Sequence, residues 1–168
     1  DSSAGASAGA SSGSLAAAAV SLRAGWEAEN RACGLRLVAA HQVLAACIDL
    51  PECADDAAEP RPCYSVVDPG VMAASYLVRE LAISAARAEY MMSFAADLHF
   101  RYPAVLQAML DGLMEERVAR GLARQMAGVD DRVLPEIQAE VVKDYLDTLA
   151  TGVRLGDHAR GARVDEII

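Results

Sequence analysis

Between residues 68 and 128 the chain announces one helix boundary after another. Asp68-Pro69 joins a capping carboxylate to a proline, Ser84 follows the tight turn Ala82-Ile83-Ser84, and Tyr102-Pro103 restarts the pattern. Gly112 interrupts it again and Gly128 stops it. Proline is tolerated in the first turn of a helix and not in its interior, a Ser or Asp cap satisfies the first free N–H groups, and glycine ends a helix cheaply. Punctuation this dense excludes long uninterrupted rods here. It predicts short helices over 69–82, 84–100, 103–112 and 113–127, followed by one starting at Asp130 or Asp131 with Pro135 in its first turn and ending before Gly152. Residues 156–168 predict a further helix whose end lies beyond the chain.

Upstream, Ser14 is a candidate cap for a long helix over 15–48. Trp26, Asn30, Cys33, Leu37, Ala40, Leu44 and Cys47 recur at alternating steps of four and three, which lines them up in one seam. Such a seam suits an antiparallel bundle or pairing with a partner helix or a second copy. Gly25 and Gly34 weaken the helix or admit a close neighbour. Residues 1–13, almost all Ser, Gly and Ala, predict a flexible lead, and residues 51–67, with three prolines and several acids, predict a loop.

No alternating strand pattern occurs, so the expected class is all-α: a multi-helix bundle of about six or seven helices in a single domain over 14–168. The chain is 54% hydrophobic but only 5% aromatic, so Ala, Leu, Val and Met must fill the core and the helices must pack closely. There is no signal peptide and no apolar run judged long enough to span a bilayer, which predicts a cytoplasmic protein without a membrane partner. The chain begins at Asp1 rather than Met, as a fragment or processed form does.

The net charge of −9 argues against a general nucleic-acid binder. The excess is uneven. Residues 1–68 carry nine acids against four bases and residues 129–168 nine against five, whereas residues 69–128 balance at six and six. Any DNA contact is therefore expected in the middle of the chain.

Three sets of residues carry possible chemistry. The segment 75–92 has the apolar spacing of a helix-turn-helix in Leu77, Leu81, Ile83, Ala88 and Met92, although Ala82 stands where glycine is common and Val78 where alanine is common. Its exposed face offers Ala85, Ala86, Arg87, Glu89 and Tyr90, of which only Arg87 suits a base edge. Next, Arg117, Arg120 and Arg124 fall on one side of a helix. They are candidate phosphate contacts, with pairing to Glu116 and neighbouring acids as the commoner outcome for such a stripe. Arg160 and Arg163 form a smaller set of the same kind. Last, Cys47, Cys53, Cys63 and His41 have no standard zinc spacing, and Asp55, Asp56 and Glu59 have no calcium-loop spacing. Cys53 and Cys63 flank a loop, as free thiols or a disulfide; Cys33 and Cys47 fit a buried helix face. His41, His99 and His158 lie far apart, and no catalytic, metal or cofactor constellation emerges.

The order of these segments resembles an actinobacterial family that carries the helical domain of unknown function two-two-two, including the mycobacterial thirteen-E-twelve repeat proteins. The resemblance rests on residues 77–88, on Tyr102-Pro103 through Gly112-Leu113, on Val118-Ala119-Arg120 and on the Val129-Asp130-Asp131 turn, with Trp26 and Arg31 suiting the first helix. It covers about residues 15–165; Met114 and Glu115 depart from the family's usual pair. The resemblance implies a non-catalytic accessory domain that precedes an HNH endonuclease module. The module's metal-binding residues would lie downstream, so no catalytic residue carries over. A protein-interaction or oligomerisation domain is the alternative, and a helix-turn-helix regulator a further one.

Overall fold

A computed structural model describes residues 5–50 and 68–150, with side chains from Gly13 onward. Those residues form six α-helices and one short 3-10 turn, and no strand. The helices are α1 (Gly5–Ile48), α2 (Pro69–Leu81), α3 (Ala85–Phe100), α4 (Pro103–Leu110), α5 (Glu116–Gln125) and α6 (Leu134–Ala150); the 3-10 turn is Met126–Gly128. The all-α bundle is as expected. The acidic loop with Cys53 and Cys63, and the tail with Arg160 and Arg163, lie outside the described residues.

The second half of α1 is the spine. It packs against α2, α3 and α4 and touches α5, while α4 carries α6 on its far side. The predicted seam is buried here: Asn30, Cys33, Leu37, Ala40 and Cys47 are in the core, and Trp26 and Leu44 are half-buried. Of the arrangements expected for this seam, the described residues show the bundle. The chain's own short helices cover it, because each has an apolar stripe that must be buried and α1 is the longest surface available. Gly34 lets α4 approach: a Cβ there would meet Leu110 and Met109 at 3.2–3.3 Å. Gly25 has open space around it, so no close neighbour explains it.

The start of α1 is a second correction. The helix begins at Gly5, so Ser14 is an interior residue rather than a cap, and the Ser/Gly/Ala lead is helical from that point. Nothing in this run interrupts the hydrogen-bond ladder, since it has no proline and abundant alanine. A third concerns membranes. By length and composition α1 is long and apolar enough to cross one: its segment Gly13–Ile48 reaches a mean hydropathy of 1.2 over its most apolar window. In the bundle this helix engages α4 and α5 through Trp26, Asn30, Arg31 and Cys33.

The predicted caps are present. Asp68 Oδ1 accepts from Val71 N–H at 3.0 Å and Ser84 Oγ from Arg87 N–H at 3.3 Å. Ala82 ends α2 in the left-handed region at φ 52°, and α3 begins three residues later. Of the expected helix-turn-helix core positions, Leu77, Ala88 and Met92 are buried and Ile83 half-buried, but Leu81 is exposed. The α4–α5 boundary departs more. Instead of starting near Leu113, α5 starts at Glu116, because Gly112 turns left-handed at φ 83° and Met114 drops fully into the core. Similarly, Asp130 caps a turn rather than a helix, and α6 starts at Leu134 with Pro135 next in its first turn.

Candidate functional site

Four nominated arginines come from two helices that run in the same direction. Arg120 on α5 lies over the rings of Tyr90 and Phe94 on α3, at 4.1 and 4.0 Å from their centroids. One end of the groove is closed by Arg101, just past α3, which donates to Ala127 O and Val129 O, just past α5, at 3.0 and 2.8 Å. Between these points lies a cleft of about 240 Å³ lined by Tyr90, Ser93, Asp97, Arg101, Arg120 and Arg124 among others. Arg87 precedes Tyr90 by three residues, and Arg117 precedes Arg120 by three. That spacing sets each of them about one turn nearer its helix N-terminus than the residue that lines the cleft.

The electrostatics divide the arginines into two groups. Arg120 is largely buried, its side chain only 16% exposed, and pairs with Glu116 at 2.7 Å. Glu116 is itself the hub of a small network. It accepts the Cys33 thiol at 3.0 Å, and Arg36 donates to that same sulfur at 3.4 Å. Burial works against the Glu116 charge, yet the hydrogen bonds from Cys33 and Arg120, with the fields of Arg120 and Arg36, hold its carboxyl below the usual range. Burial first, then the Glu116 hydrogen bond and charge, pushes the Cys33 thiol up to about 11, so it stays protonated as the donor in this contact. Arg101 is likewise engaged, pairing with Asp131 at 3.1 Å besides its two carbonyls. Arg87, Arg117 and Arg124 are exposed.

The sequence stripe of Arg117, Arg120 and Arg124 is therefore one face of α5 but not one surface. Its central member faces inward onto α3 and holds the bundle together, in keeping with the pairing to Glu116 weighed for it. Arg124 Nε donates to Arg120 O at 3.3 Å, and its side chain remains exposed. From the sequence, Tyr90 is placed only on the exposed face of the helix-turn-helix, and Phe94, Asp97 and Arg101 are not nominated. The signal for Tyr90 and Phe94 was their helical spacing, which gave no hint that a cation would lie across both.

Of the other nominated residues, Cys33, Cys47, His41 and His99 are among those described. Cys33 and Cys47 are buried in the core. Among the described residues no group of three or more His, Cys, Asp or Glu side chains converges to hold a metal ion. His41 and His99, 58 positions apart, stack at a centroid distance of 3.9 Å, with Phe100 edge-on to both. No family model matches the sequence, and no curated protein or solved structure is detectably similar to it.

Proposed function

We propose that this chain is a non-catalytic helical module of a DNA-associated protein, which rests against a phosphate backbone through the rim of the α3–α5 groove and positions a neighbouring module such as an HNH nuclease. The observation that carries this reading is Arg124 in the lining of the α3–α5 groove, with exposed Arg87 three residues before Tyr90 on α3 and exposed Arg117 three residues before Arg120 on α5, in the charge-balanced part of an acidic chain. Exposed guanidiniums favour phosphates without reading bases, and nothing on the exposed face of α3 beyond Arg87 suits base recognition. The resemblance to domain two-two-two proteins motivates the nuclease association.

Titration of a labelled duplex at low and moderate salt tests it. Binding is expected to weaken steeply with salt, and replacing Arg87, Arg117 and Arg124 together by Gln should flatten the log–log slope by about 2 to 3. Absence of binding at low salt, or an unchanged slope in the triple variant, overturns the proposal. Arg120→Gln is expected instead to destabilise the fold, since it removes the ion-pair partner of the half-buried Glu116.

A second reading, an interaction or oligomerisation module, is favoured by a different observation. Leu15, Val20 and Leu22 on the first half of α1 are 71–77% exposed on a stretch whose side chains touch little of the bundle. Light scattering of the wild type and of a Leu15→Gln/Val20→Gln/Leu22→Gln variant decides it: a concentration-dependent mass abolished by the substitutions supports it, and a monomer at all concentrations removes it.

A further inference from the structure

We infer that the stacked pair His41–His99 is an acid-sensitive latch between α1 and α3, closed when no more than one ring is protonated and opened when both are. The two rings lie 3.9 Å apart and 23° from parallel, each with Phe100 edge-on. A stack this close is tolerated between two neutral rings and is favoured with one neutral ring beneath one cation. It does not suit two cations. Their separation is well inside the Debye length of about 8 Å at physiological salt, so dissolved ions screen the repulsion poorly. The Nδ1 atom of His41 is buried and has no hydrogen-bond partner, so nothing there stabilises an added charge. The latch joins two helices that pack extensively against each other, which gives its opening mechanical consequence.

Among the described residues no acid is hydrogen-bonded to the buried His41 Nδ1, although Asp68 and Glu89 line a pocket with Leu44 one turn along α1. On α1 the segment 37–48 contains no Asp, Glu, Lys or Arg. Neither does α4. On α3, Asp97 and Arg101 line the opposite α3–α5 groove. On α2, Asp68 caps the helix start, and Arg79 pairs with Glu80 at 2.8 Å. On α5, Glu116 is held by Cys33 and Arg120. Burial first, then the charge of His99, lowers the His41 pKa from its ordinary value. The sign follows: a histidine whose folded-state pKa is depressed contributes stability above its unfolded pKa of about 6.5, and this is lost as pH falls below that value and through the folded one. Carboxylates titrate mostly below this window, so the effect is separable from general acid denaturation.

Thermal unfolding between pH 7.5 and 5.5, in a His158→Gln background that leaves only this pair, tests the latch. The midpoint is expected to fall by roughly 3 °C or more across the window. Phenylalanine keeps a stackable ring and cannot be protonated, so both His99→Phe and His41→Phe should remove most of that slope. Imidazole NMR of the His158→Gln protein supplies a second readout that needs no variant of the pair. His41 should titrate below the ordinary histidine value, and in the His99→Phe variant its midpoint should rise. An unchanged pH slope in both Phe variants, or an ordinary titration of His41 beside an intact His99, overturns the proposal.

Discussion

Among the described residues two turns put a residue into the left-handed region, and they do it in opposite ways. The α2–α3 turn uses Ala82, at φ 52°, and closes with local parts: the exposed turn residues and the Ser84 cap. The α4–α5 turn uses Gly112, at φ 83°, and is gripped from outside. Its backbone makes the paired bonds of a Schellman motif, Leu113 N–H to Ala108 O and Gly112 N–H to Met109 O, both at 2.9 Å. The carbonyls this leaves are then taken up by α1. Arg31 donates to Leu110 O at 3.2 Å and Asp111 O at 3.1 Å, and Asn30 donates to Gly112 O at 3.1 Å. Trp26 Nε1 reaches Glu115 Oε1 at 3.0 Å, at the α5 N-cap position. One turn is a local event. The other is a docking site for the spine helix, and the same backbone shape has acquired a different role.

The comparison breaks most sharply at Gly112. A Cβ there would sit 2.6 Å from the backbone carbonyl oxygen of Glu27, which cannot swing aside as a side chain can. Gly112→Ala therefore combines a left-handed alanine, about 1–2 kcal/mol, with a clash against the spine, and a loss of more than about 3 kcal/mol is expected in chemical denaturation. A near-neutral result would mean that α1 does not press on this turn. Asn30→Ala ranks next. It leaves Gly112 O buried without its donor, and a loss of about 1–3 kcal/mol is expected. Asn30→Asp should cost at least as much, because it sets a carboxylate against that carbonyl.

This pair also marks how far a single sequence can be read. The boundaries at Asp68, Ser84, Pro103 and Gly112 were legible because caps, prolines and glycines act on their own few neighbours. The seam of α1 was legible for the same reason, as a spacing along one helix. Its partner was not, because Asn30 and Gly112 are 82 positions apart and neither carries a local sign of the other. Gln138 is a similar case: it is buried because its Oε1 accepts Ala104 N–H at 3.2 Å and its Nε2 donates to Arg101 O at 3.4 Å, tying α6 to the start of α4. At the arginine groove, spacing placed Arg117, Arg120 and Arg124 on one face of α5. Only packing against Tyr90 and Phe94 separated the inward Arg120 from the outer two.

At the local turn the expected effects are smaller, and one of the two is opposite in sign. Ser84→Ala removes the hydroxyl that accepts Arg87 N–H and should cost about 1 kcal/mol, with no change in the response to substitutions in α1. Ala82→Gly should stabilise the protein. Alanine bears a penalty of about 1–2 kcal/mol in the left-handed region, and glycine does not. Against this, glycine frees the unfolded chain by about 0.4–1 kcal/mol, so the net gain is about 0.5–1 kcal/mol, or a rise of roughly 2–3 °C in the unfolding midpoint. Ala82 is exposed and the turn is closed by local groups, so no neighbour needs to move to accept the change. A fall in stability would show that this turn, like the one at Gly112, is held by contacts beyond its own residues.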